Sequence, residues 1–128
     1  MSFGTEIYSL VSEDASVAAL VGTNVYGQKL DDNFDISDAG ILLTYNREEG
    51  IHALDGDNVL EIYTLYVTII AVNTATVESI ETAVRAALDD YSDSTIRDVV
   101  LEGETNTPEL EKDNYLKTLR YRIIYEQA

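Results

Sequence analysis

The pattern of apolar positions along this chain changes period once, sharply, between Val59 and Tyr91. Val59–Val72 reads VLEIYTLYVTIIAV, rich in β-branched and aromatic residues and free of Gly and Pro, which predicts a long strand. Asn73 and Thr74 then offer side-chain oxygens that can cap a helix. Beyond them Val77, Ile80, Val84, Ala87 and Leu88 recur at steps of three and four, which puts them on one side of a helix over Thr74–Asp89. The expected core is therefore a sheet with an apolar helix face laid across it.

The rest of the chain supplies partners for that unit. Phe3–Gly22 reads as two short helical pieces. Phe3, Ile7, Leu10 and Val11 form the first stripe, Ser12 or Asp14 can cap the second piece, and Gly22 ends it. A short extended piece is expected around Asn24–Gly27, then an acidic loop over Gln28–Ala39 and a strand over Ile41–Tyr45. Arg47–Asn58 reads as a long polar loop with Gly50 and the turn pair Asp55–Gly56. A third strand over Ile96–Glu102, a loop over Gly103–Asn114 containing Pro108, and a last strand over Tyr115–Tyr125 complete the order.

That last strand has two unlike faces. Tyr115, Leu119, Tyr121, Ile123 and Tyr125 alternate on one side, with Lys117 the exception, while Thr118, Arg120 and Arg122 share the other with Leu116 and Ile124. One face meets the helices and the other is polar, as in a sheet covered on a single side. The expected fold class is α+β: one mostly antiparallel sheet with a long hairpin, packed on one face by two helical segments, in a single domain over residues 1–128.

Charge changes the picture more than composition does. The chain has 24 acidic against 8 basic residues, a formal net charge of −16, which disfavours wrapping nucleic acid through its phosphates and binding anionic membranes. Three readings fit the excess: a solubilising surface, a nucleic-acid mimic for a basic partner, or a surface past which nucleic acid slides without sticking. Three of the eight basic residues, Lys117, Arg120 and Arg122, fall in the last strand. They either pair across the sheet with neighbours such as Glu61 or Asp98, or meet acidic loops of an adjacent subunit. Asp31, Asp32, Asp35, Glu48 and Glu49 are the candidates in those loops.

Residues that would carry chemistry are sparse. Without cysteine there is no disulfide framework and no thiolate metal site, and the chain suits a reducing compartment such as the cytoplasm. His52 is the single histidine and falls in an expected loop, so a zinc site would need carboxylates almost alone. Asp31, Asn33 and Asp35 have the first spacings of a calcium loop, but Ile36 stands where the turn needs Gly and Leu42 where the bidentate Glu belongs. Asp55–Gly56–Asp57–Asn58 reads as a turn. No phosphate-cradling glycine motif occurs, no basic n-region opens the chain, and no apolar run reaches the roughly 20 residues of a membrane span. Neither a metal nor a cofactor is expected. Nine tyrosines against two phenylalanines fall mostly on strands, where a tyrosine packs a ring at the core edge or anchors a protein contact.

Several short stretches, taken in order, carry a family resemblance. They are Ala19–Leu20–Val21–Gly22, Val25–Tyr26–Gly27, the Ile41–Tyr45 strand, the Asp55–Gly56 turn, Thr76–Val77–Glu78, Val84–Arg85–Ala86–Ala87–Leu88–Asp89 and the final Leu119–Tyr125 strand. Over nearly the whole chain the sequence resembles the tail completion, or tail terminator, proteins of long-tailed bacteriophages and prophages. It departs from them in an acidic, proline-free segment after Gly27. The resemblance implies a small α+β subunit without enzymatic activity, and a homo-hexameric ring on the head-proximal end of the tail tube. That ring ends tube polymerisation, contacts the major tail tube protein and the head–tail connector or head-closure protein, and lets DNA pass without specific binding. Two alternatives are another neck component (a head-closure or adaptor protein) and an acidic DNA-mimic inhibitor.

Overall fold

In the computed structural model of the protein, residues 3–27, 39–52, 59–89, 91–107 and 115–127 are described. The chain opens with helices α1 (Phe3–Ser12) and α2 (Ala15–Val21), followed by strands β1 (Val25–Gly27), β2 (Gly40–His52) and β3 (Val59–Ala71). Helix α3 (Thr74–Leu88) and strands β4 (Ile96–Thr107) and β5 (Tyr115–Gln127) follow. The strands form one mixed sheet in the order β1-β2-β3-β5-β4, in which only the β1–β2 pair is parallel.

Local chemistry sets the helix boundaries. Asp14 caps α2 by accepting from the N–H groups of Ser16 and Val17 at 3.0 and 3.1 Å, and Asn73 caps α3 through Thr76 N–H at 2.7 Å. Each cap is worth about 1 kcal/mol. Gly22 closes α2 at φ 61°, a left-handed conformation that glycine adopts without the Cβ penalty.

The strands run further than the sequence pattern suggests. β2 continues to His52 and β4 to Thr107, through stretches expected to be loop from Arg47 and Gly103 onward; His52 ends β2 in register with Val59 rather than lying in a loop. Register shifts fall between Arg47 and Glu49 and between Leu101 and Gly103, at the points where the alternation in the sequence stops. A bulge adds one residue and breaks the period of two without ending the ladder. β3 and β5, each 13 residues long, supply backbone partners throughout, and ladder hydrogen bonds outweigh the polar character of the side chains. β3 is central, pairing with β5 from Val59 to Ala71 and with β2 from Val59 to Ile70, so it does not overhang the sheet. The expected turn Asp55–Gly56–Asp57–Asn58, the acidic segment with Asp31, Asp32 and Asp35, and Pro108 lie outside the described residues.

All three helices cover one face. Leu65, Val67 and Ile69 of β3 and Leu119, Tyr121 and Ile123 of β5 are fully buried against Ile7 and Val11 of α1, Val17 of α2 and Ile80, Val84 and Leu88 of α3. Each such side chain stabilises the fold by about 1.5–3 kcal/mol. At one end Phe3 stacks on Tyr63, with centroids 3.9 Å apart, and meets Tyr45 and Tyr125 edge-on at 5.2 and 5.4 Å. A Cβ at Gly4 would stand 2.9 Å from Tyr45 Cζ, so glycine lets α1 lie directly on that ring. Among the described residues, no helix is long and apolar enough to cross a membrane.

Candidate interaction surface

On the helix-covered side several buried or half-buried carboxylates are paired within the subunit. Glu61, 4% exposed, accepts from Arg47 at 2.7 Å and from the Tyr63 hydroxyl at 3.3 Å. Glu6 accepts from Thr95 and Tyr125, and Asp89 accepts from Tyr121 at 2.9 Å. Burial, followed by the carboxylate at the hydroxyl, pushes the Tyr121 and Tyr125 phenols far above the ordinary tyrosine value. An open groove between α1 and the start of β4 collects Glu6, Glu13, Asp14, Tyr91 and Asp93. Most of these already serve the fold: Asp14 caps α2, and Asp93 accepts from Thr95 and Ile96 N–H and from Tyr91. Burial alone would raise the Asp93 pKa, but those hydrogen bonds outweigh it and hold the carboxyl below its usual range. No group of three or more acidic or histidine side chains suited to a metal ion occurs among the described residues.

The opposite face of the sheet is built in cross-strand rows. Thr44, Tyr66, Arg120 and Gly103 form one row across β2, β3, β5 and β4; Asn46, Thr64, Arg122 and Val100 form the next. A threonine row beside them has Thr68 Oγ1 and Thr118 Oγ1 3.3 Å apart. The apolar pairs Ile62–Ile124 and Ile70–Leu116 flank this polar centre. Arg120 is exposed and Arg122 half-buried, and Val100 is 44% exposed at the β4 end of its row. A Cβ at Gly103 would stand 3.3 Å from Arg120 Nη2, so the guanidinium lies close across β4 at this glycine.

The three basic residues of the last strand are thereby separated. Lys117 belongs to the helix side, where its ammonium lies 2.6 Å from Glu81 and 3.4 Å from Glu104, and the Glu81 hydrogen bond raises its pKa. Neither Glu61 nor Asp98 is the cross-sheet partner anticipated for this strand: Glu61 is taken by Arg47, and Asp98 stands opposite Ile124. Among the described residues, Arg47, Arg85, Arg97 and Lys117 all have ion pairs within the subunit, whereas Arg120 and Arg122 have none. Glu48 and Glu49 fall at the β2 bulge, Glu49 opposite Ile62; Asp31, Asp32 and Asp35 lie outside the described residues. Val100 and Gly103 carry no signal when read singly; a strand continued through Gly103 would have placed both on this face. Most tyrosines pack at the core edge, as the core-edge reading of the sequence has it, with Tyr121 fully buried.

Fold and face together define a small α+β subunit, with helices on one side of its sheet and an arginine-bearing surface on the other that no described element covers. Residues 5–126 match the family described as tail completion protein gp17, and the chain belongs to that family: it is a structural protein of the bacteriophage tail and a component of the virion. A chain in a solved structure described as "Virion of native gene transfer agent (GTA) particle" shares the fold, with a TM-score of 0.74 and 19% identity over 98% of this chain and 96% of that one. No curated protein sequence matches.

Proposed function

We propose that the protein forms a homo-hexameric ring on the head-proximal end of the tail tube, ends tube polymerisation, and presents the surface that joins the head connector or head-closure protein. It acts by contact and makes or breaks no bond. The observation that carries this reading is the pair of arginines on the far sheet face, which have no ion pair among the described residues of a chain of net charge −16. Ring closure needs two different patches of one subunit to meet around an axis. Arg120 and Arg122 form one patch, and the acidic stretches holding Asp31, Asp32, Asp35, Glu48 and Glu49 form the other. Charge complementarity would set their register.

The acidic surplus then has a role at the lumen, where it keeps the phosphates of passing DNA from adhering. Membership of a tail completion family favours this reading over a nucleic-acid mimic or another neck component. Electron micrographs of the purified protein, alone and mixed with tail tubes, test it: rings of six subunits at one tube end are expected. Phage lacking the protein should make tails that overgrow or fail to join filled heads. Normal tails on such phage would refute the capping role.

A further inference from the structure

The two ends of the sheet are complementary. β1 covers β2 only at Ile41–Leu43, so among the described residues β2 from Thr44 to His52 has a backbone partner on one side alone. At the other end β4 pairs with β5, and among the described residues its outer edge has no partner. An edge strand of this kind offers a row of N–H and C=O groups to another chain. We infer that the outer edge of β4 pairs with the bare stretch of β2 in a second copy of this chain, so that the sheet runs on from subunit to subunit. This deepens the ring reading and rests on it.

Direction, face and charge all agree with such a seam. β2 and β5 run one way and β3 and β4 the other, so subunits related by rotation about a ring axis bring β4 antiparallel to the neighbour's β2, with the uncovered faces on the same side. The two edges are different surfaces, so the contact is heterologous, the kind that makes a ring when the rotation from subunit to subunit closes. Arg120, lying over Gly103 on β4, and Arg122, in the row that ends at Val100, stand beside this edge. Glu48 and Glu49 stand on the strand the seam would receive. In this seam β2, rather than the segment holding Asp31, Asp32 and Asp35, is the acidic stretch that comes to lie beside the two arginines. The bulges restrict the ladder to regular stretches, Thr44–Arg47 on one edge and Asp98–Leu101 on the other, which limits slippage of the register.

The chain has no cysteine, so an introduced pair reports on the seam alone. Only neighbouring strands bring Cα atoms within the roughly 4.4–6.8 Å that a disulfide spans. Val100→Cys would be combined in turn with Thr44→Cys, Asn46→Cys and Glu49→Cys, and mild oxidation applied to assembled rings. At least one pair should give a covalent ladder reaching the full ring on denaturing gels, while Asn46→Cys with the helix-side Glu78→Cys stays monomeric. Rings that form normally but give no ladder with any of the three pairs overturn the seam and leave the ring standing. Failure of the unmodified protein to form rings, alone or on tubes, overturns both.

Discussion

Lys117 and Arg120 lie three residues apart on β5 and face opposite ways: the lysine ammonium sits 2.6 Å from Glu81 Oε1 beneath α3, while the arginine lies on the uncovered face across Gly103. The lysine holds the fold, and the arginine is available to a neighbour. Substitutions at the two positions should therefore fail in different ways.

Replacing Lys117 by Ala leaves Glu81, whose side chain is 13% exposed, without its closest cation, although Arg85 remains at 3.8 Å. Removing one member of a buried pair costs about 3 kcal/mol. Denaturant unfolding should show a loss of that order for Lys117→Ala. The double variant Lys117→Met, Glu81→Leu should be more stable than Lys117→Ala, because it leaves no buried charge unpaired.

Reversing both Arg120 and Arg122 to Glu should leave unfolding stability close to that of the unmodified protein, since neither arginine has an ion pair to lose among the described residues. The same variant should fail to form rings or cap tubes. Circular dichroism with sizing and tube-capping assays separates the two effects, and normal capping by the variant would exclude these arginines from the contact.

Stability should fall in alkali. A phenol whose folded pKa is raised keeps its proton more tightly in the fold than in the unfolded chain. Its contribution is complete below the ordinary tyrosine value of 10.0 and is lost as pH rises beyond it. Unfolding free energy at pH 8, 10 and 11 should therefore decline across the upper interval. Tyr121→Phe should flatten the decline, with a loss of about 1 kcal/mol at neutral pH for the missing hydrogen bond to Asp89.

Alanine at position 4 tests the aromatic end of the core. In an exposed helix Gly→Ala gains about 1 kcal/mol. Here the new methyl meets the ring of Tyr45, which Phe3 and Tyr63 hold in place. Overpacking of this kind costs about 1–3 kcal/mol, so Gly4→Ala should lower the melting temperature. A rise would mean that the ring moves aside freely.

The sequence by itself determined what is decided within a few residues. The passage from strand to helix near Asn73, the caps at Asp14 and Asn73, the stop at Gly22, and the two unlike faces of β5 all follow from local periodicity and local hydrogen bonding. The carboxylate excess is legible for the same reason. Only the tertiary structure decided that β2 and β4 continue past their bulges, because the ladder partners that hold Glu49 and Gly103 in strands lie on β3 and β5. It also decided that Lys117 belongs to Glu81, 36 residues away on α3, and that Arg120 and Arg122 sit amid an uncovered face. That placement depends on β5 lying between β3 and β4, a strand order that no window of local sequence encodes.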